Sequence, residues 1–341
     1  MTTQTQPAPR RGDLLALWGG IAFSFGFTAL IALAGARLAA IPKWPDTGPD
    51  WYFWRLMDTT TAARVSAWGL YLLHQLAAWG LIYFAQTRVK QYVPGLHPIN
   101  VIALAGNALF IGLHFAQTHL WYGGLAEDVS IWSSQVSVII LLVWVLLMEN
   151  SRRGLFFGKK VPISRQIIGW ARKYHGYVFA WAAVYTFWYH PMESTWGHLF
   201  GFFYMFLLML QGSLIFTRAH LNKFWTVTLE VMVAAHGTMV AVLQGNNLWP
   251  MFFFGFMGIF IITQMHGLGW PRWAKITSYL LYAAATIIVY NGQWVRLNEI
   301  IRIPFIEYLA VFVLTGLIGG GLWLRRQASG VRKRESLTPA S

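Results

Sequence analysis

A chain of 341 residues that is 56% hydrophobic and only 11% charged cannot cover a water-facing surface, since soluble domains carry roughly 25% charged residues. The formal net charge of +14 does not point to nucleic acid, because Lys and Arg lie in short segments between apolar runs rather than on one face. The absence of cysteine excludes disulfides, thiolate zinc sites, iron–sulfur clusters, CxxCH haem attachment and a Cys nucleophile.

The first apolar run, from Leu14 to about Ala34, follows Arg10 and Arg11. It is longer than the core of a signal peptide, roughly 7–15 residues, and reads as an uncleaved first helix. Nine further runs follow at 66–86, 99–122, 129–148, 174–190, 197–217, 224–244, 249–266, 276–292 and 304–324. Their lengths suit a helix crossing the hydrocarbon core, which takes about 20 residues. Many of the 19 Trp fall at the ends of these runs, where amphipathic rings favour the headgroup region. The fifth run is the least regular, with Arg172, Lys173 and His175 crowding its start. The predicted fold is an all-α polytopic bundle of ten transmembrane helices. It forms one membrane domain over 13–325, between tails at 1–12 and 326–341.

Charge alternates from one connection to the next. Arg88 and Lys90, then Arg152, Arg153, Lys159, Lys160 and Arg165, then Arg218 and Lys223, then Arg272 and Lys275 occupy every second connection, and both tails are basic. The connections between them hold Asp46, Asp50, Glu127, Asp128, Glu193 and Glu299. Basic loops mark the cytoplasmic side, which predicts both termini in the cytoplasm and, for this composition, a bacterial cytoplasmic (inner) membrane.

That topology gives each histidine a depth. His97, His175, His220 and His266 fall near the cytoplasmic ends of the runs. His74, His114, His119 and His236 fall in the outer halves, and His190 and His198 flank the outer stretch HPMESTWGH, which also holds Glu193. Ionisable groups inside a membrane are costly and face a bundle interior or a pathway. Six histidines at one depth therefore suggest shared metal ligation, with His74, His114, His119, His190, His198 and His236 as the candidates and iron, copper or zinc as the metal. His114 and His119 lie about 140° apart on a helix, which argues against both joining one simple site. Glu230, in the run LEVMVAAHG six residues before His236, reads either as a proton relay or as a structural partner for a Tyr, Trp or Arg. Asn107, Gln117, Gln211 and Gln264 add to a polar interior.

Three functions fit this pattern. The leading one is a membrane oxidoreductase holding b-type haem between histidines on different helices, with His175 and His266 serving an inner haem. Electrons would then pass between a quinone, or another membrane redox subunit, and an outer acceptor. The general plan is similar to that of di-haem membrane cytochromes, in architecture alone. The second is a non-haem metal enzyme acting on a lipid-like substrate, with Glu193 and Glu230 as catalytic carboxylates. Membrane desaturases and hydroxylases resemble it in their many histidines, although their HxxxH and HxxHH boxes are missing here. The third is a proton-coupled transporter using Glu230 and His236. A retinal protein is excluded because every Lys falls in a loop or near a helix end, and GxGxxG, P-loop, GxSxG and HExxH motifs are all missing.

Overall fold

The structure, a computed structural model, describes residues 11–48, 52–89 and 91–335, with side chains described to Ser329. Arg10 and most of the amino-terminal tail, Asp50, Lys90 and residues 336–341 lie outside the described residues. The described chain is all-α. Its helices are α1 (Gly12–Ala34), α2 (Thr61–Arg88), α3 (Pro98–Trp121), α4 (Ile131–Arg153), α5 (Arg165–Tyr189), α6 (Trp196–Ser213), α7 (Lys223–Leu243), α8 (Trp249–Ile262), α9 (Arg272–Tyr290) and α10 (Glu299–Glu335).

Local chemistry fixes where these helices begin. The side-chain oxygens of Thr60, Ser130, Ser164, Thr195 and Asn222 accept hydrogen bonds from the first-turn N–H groups of α2, α4, α5, α6 and α7. They satisfy donors that have no partner inside the helix. The α3 start combines Pro98 at its first position with a reciprocal pair of hydrogen bonds between His97 and Asn100.

Eight helices are long and apolar enough to cross a membrane: α1, α2, α3, α4, α7, α8 taken with the helical turn that continues it to Gly267, α9 and α10. The other two, α5 and α6, sit at the centre. Helix α5 packs on α2, α4, α6 and α10, and α6 packs on α1, α3, α5 and α7. A helix enclosed by other helices need not present an apolar face to lipid, so α5 tolerates the half-buried His175 and α6 tolerates His198 and Gln211, whereas Arg172 and Lys173 are exposed in the first turns of α5. The reverse holds at the periphery, where α9 exposes Leu280, Leu281, Ile287 and Ile288 to the surroundings of the bundle.

The connections gather at two ends. At one, Asp13 at the start of α1 accepts from Ala219 N–H at 2.9 Å, and Arg218 N–H donates to Val93 O at 2.9 Å. The last turns of α10 reach the same end, where Arg326 donates to Gln166 at the start of α5. At the opposite end, the α1–α2 segment folds over the α3–α4 and α5–α6 connections, where Leu56 N–H donates to Glu127 and Lys43 pairs with Glu193. We call these the basic-loop end and the acidic-loop end. Three of the basic residues at the acidic-loop end are paired with carboxylates: Lys43 with Glu193, Arg64 with Asp128 and Arg296 with Glu299.

A glycine sets the floor of the acidic-loop end. A Cβ added at Gly124 would lie 2.5 Å from Tyr189 O and 2.8 Å from Trp188 O, both of them backbone atoms at the end of α5. Only glycine lets the α3–α4 connection approach α5 this closely. Gly124→Ala is expected to destabilise the protein by about 1–3 kcal/mol, read as a lowered unfolding midpoint in mild detergent.

Candidate functional site

The acidic-loop end carries the densest set of chemistry-bearing side chains, and a residue from an irregular segment organises it. Tyr52, in the α1–α2 connection, places its hydroxyl 2.9 Å from His190 Nδ1 and 2.9 Å from His198 Nε2. His190 follows the last residue of α5, and His198 lies in the first turn of α6. The other nitrogen of His198, Nδ1, is 2.8 Å from the hydroxyl of Thr195, the residue that caps α6. Thr195, His198, Tyr52 and His190 thus form one continuous hydrogen-bonded row. His236 of α7 lies within electrostatic reach of both histidines, against Gly201 of α6, where an added Cβ would be 3.0 Å from its Nε2.

Burial sets the protonation of this row. It holds the Tyr52 hydroxyl well above its ordinary value, helped by nearby Tyr189, Glu193 and Glu127. Burial, and then the neighbouring His198, His236 and His114, pushes the His190 imidazole well below its ordinary value. At neutral pH Tyr52 keeps its proton and His190 is uncharged, so each is at once a donor and an acceptor.

A second cluster adjoins the first. Lys43 Nζ lies 2.9 Å from Glu193 Oε1 and donates to Leu38 O at 2.8 Å. The Tyr122 hydroxyl donates to the same carboxylate oxygen at 2.7 Å, and burial beside Glu193 holds it above its ordinary value. Glu127 accepts from Leu56 N–H at 3.0 Å and from Thr59 at 2.6 Å. These carboxylates fasten the α1–α2 segment, and with it Tyr52, to the ends of α3 and α5. Lys43→Met would leave Glu193 charged and buried with one fewer partner. A cost of about 2–3 kcal/mol is expected, measured by chemical unfolding, with Glu193→Gln in the same background recovering part of it.

The remaining sequence candidates fall in separate places. His74 is fully engaged: Trp188 Nε1 donates to its Nδ1 at 3.1 Å, its Nε2 is 2.9 Å from Asn107 Oδ1, and its ring stacks on Phe110 at 4.1 Å. His114 Nε2 donates to the backbone oxygen of His190 at 2.9 Å, while its Nδ1 lies 3.1 Å from Gln117 Oε1. The nitrogens of His119 are buried without a hydrogen-bond partner among the described residues, beside Phe115 and within reach of Arg37 and Glu193. Among the described residues, no group of three or more His, Asp or Glu side chains is arranged to hold a metal ion. Glu230 is held by Arg153 through two hydrogen bonds, at 2.9 and 2.6 Å.

At the basic-loop end, His175 of α5 neighbours His220 in the α6–α7 connection, with ring centroids 6.4 Å apart. Each ring is fixed by its Nδ1 on a backbone carbonyl, Arg172 O at 2.5 Å for His175 and Gln211 O at 2.8 Å for His220. Neither Nε2 has a hydrogen-bond partner among the described residues. His266 sits elsewhere, with its Nε2 3.3 Å from both Ile261 O and the Tyr279 hydroxyl.

A groove of about 520 Å³ opens beside the row at the same end, lined by Trp196, Ala235, Thr238, Met239, Val242 and Phe253. Trp196 and Val242 remain 71% and 54% exposed, so the groove faces outward from the bundle. The Thr238 hydroxyl in its wall is buried without a partner among the described residues. Ala235 and Thr238 bracket His236 along α7, which places the groove on one side of that turn and the row on the other.

Sequence reasoning missed Tyr52 and Lys43, which come from an irregular segment with no periodicity to mark them, and Tyr122, the last residue of the run at 99–122. It also missed Glu307 of α10, which is 3% exposed with its Oε2 unpartnered among the described residues. A lone carboxylate three residues after Pro304, inside an apolar run, was the available signal. Comparison with models of known families, with curated proteins and with solved structures finds no match.

Proposed function

We propose that the protein is a membrane oxidoreductase that exchanges protons with a lipophilic, quinone-like substrate through the Thr195–His198–Tyr52–His190 row. The observation that carries this reading is the Tyr52 hydroxyl placed between two imidazoles. Every member of the row both donates and accepts, so the row can be polarised in either direction and one proton entering an end releases another at the far end. Fixed carboxylates would trap the proton, and they lie in the adjoining cluster rather than in the row. The apolar groove beside His236 offers a substrate in the bilayer a way to approach without crossing water.

In this reading the acidic-loop end faces away from the cytoplasm and both termini face it, because most of the Lys and Arg lie at the basic-loop end. The membrane would be the bacterial cytoplasmic one. A histidine-held haem b is the second element of the proposal, favoured by His175 and His220. His175 and His220, each with Nδ1 on a backbone carbonyl and Nε2 left over, would be the residues to hold such a group. Such a group would supply one-electron transfer when bound, and the two residues fix the orientation of both rings.

The test is a pair of measurements on protein purified in mild detergent. Oxidised and dithionite-reduced visible spectra report haem, and His175→Ala or His220→Ala should abolish any reduced α-band. Oxidation of a short-chain quinol analogue with a soluble one-electron dye as acceptor reports the proton-coupled reaction. Wild-type protein inert toward quinols would overturn the substrate assignment. A colourless wild-type sample, prepared from haem-supplemented cells, would overturn the haem assignment alone.

A further inference from the structure

A second groove, at the basic-loop end, is built from the start of α5 and the last turns of α10. Its volume is about 440 Å³, and its wall includes Lys173, Arg325 and Arg326 together with Trp170, Leu322 and Gln166. None of its lining residues is acidic, and none of the three cations has a carboxylate partner among the described residues. Arg326 is oriented by its hydrogen bond to Gln166, and Lys173 lies 5.3 Å above the ring of Tyr174. The wall is open at Gly169, where an added Cβ would meet nothing within 4 Å.

The surroundings of the groove identify what it fits. On the α10 side it runs directly into an apolar outer surface, with Leu317, Trp323 and Leu324 exposed by 69%, 59% and 61%. On the α5 side Trp170 marks the level at which aromatic rings meet headgroups. Three cations therefore stand where an apolar, lipid-facing surface ends. An occupant that satisfies both parts must join a phosphate to hydrocarbon.

We propose that this groove is a specific site for an anionic glycerophospholipid. Its phosphate sits among Lys173, Arg325 and Arg326, and an acyl chain runs along Leu322 and the exposed face of α10. Arginine suits this role because its fork of donors matches phosphate oxygens. The site is independent of the redox reading, since no residue of the row or of the His175–His220 pair lines it.

The experiment is native mass spectrometry of the full-length protein titrated with phosphatidylglycerol or phosphatidylcholine, beside thermal unfolding under the same conditions. Wild-type protein is expected to retain phosphatidylglycerol preferentially and to gain thermal stability from it. Lys173→Ala combined with Arg325→Ala should weaken that binding about 25-fold, as expected for two cations contributing roughly fivefold each. Arg272→Ala, which removes a charge from another connection at the same end, should leave it unchanged. Equal retention of the two lipids by wild-type protein overturns the proposal. So does an unaltered preference in the double variant, or an equal loss in Arg272→Ala. Stabilisation by glycerol 3-phosphate to the same extent as by phosphatidylglycerol would show a site for free phosphate esters and overturn the lipid assignment.

Discussion

Replacing Arg153 with alanine is expected to lower the unfolding free energy by about 3–5 kcal/mol, the cost of leaving a buried charge without its partner. Arg153 ends α4 with its side chain 0% exposed, and Glu230 of α7 is 8% exposed. Both guanidinium NH groups reach separate oxygens of the carboxylate, the planar fork-to-fork arrangement that fixes direction as well as distance. The pair ties α4 to α7 near the basic-loop end. Glu230→Ala should cost a similar amount, because Arg153 cannot discard its charge at any accessible pH. The double change Arg153→Met with Glu230→Leu should recover most of the loss, since a packed apolar pair avoids the desolvation of both ions. Midpoints of denaturant unfolding in mild detergent, compared across the three variants, measure this. A single variant within about 0.5 kcal/mol of wild type would show that the pair is solvated and carries little. A carboxylate held through both oxygens is not free to shuttle protons, so the proton chemistry proposed above is assigned to the opposite end.

The contrast between Glu230 and Tyr52 shows what was legible in the sequence. Apolar runs gave the helices because a helix that spans a bilayer must satisfy its own backbone. The alternation of charge then placed each residue near one end or the other. Depth is readable in that way, but azimuth around a helix and order within the bundle are not. His74 and His114 were placed at similar depth, yet one is consumed by Asn107 and Trp188 and the other turns to the backbone of His190. Boundaries shifted where charge crowds a helix start. The fifth helix begins at Arg165 rather than near 174, since its first turns lie beyond the apolar stretch and Ser164 caps them. The tenth runs from Glu299 to Glu335, well past the apolar limits expected for it. The α1–α2 segment was the hardest to read. Tyr52 stands among Trp and Phe residues that look like an ordinary interfacial belt, and only its contacts with His190 at the end of α5 and His198 at the start of α6 give it a role.

Tyr52→Phe therefore tests the proposed chemistry most sharply. The ring keeps its volume and its contact with Tyr189, at a centroid distance of 5.5 Å, while the hydroxyl that links His190 to His198 disappears. Loss of a positioned proton-transfer group lowers turnover by about 10²–10⁴-fold, and the lower part of that range is expected because a water molecule can replace one hydroxyl inefficiently. The substitution also leaves two imidazole nitrogens without their partner, a stability cost of about 1–3 kcal/mol. A structural role alone would produce that second effect together with a change in KM. The distinguishing readout is the solvent deuterium isotope effect on kcat for quinol oxidation. If proton movement through the row limits the variant, the isotope effect rises as kcat falls and KM stays near its wild-type value. His198→Gln, which retains hydrogen bonding but cannot accept and release a proton as imidazole does, should reproduce the kinetic effect with less loss of stability. Wild-type turnover in Tyr52→Phe would remove the row from the mechanism and leave Tyr52 as a clasp that holds the α1–α2 segment in place.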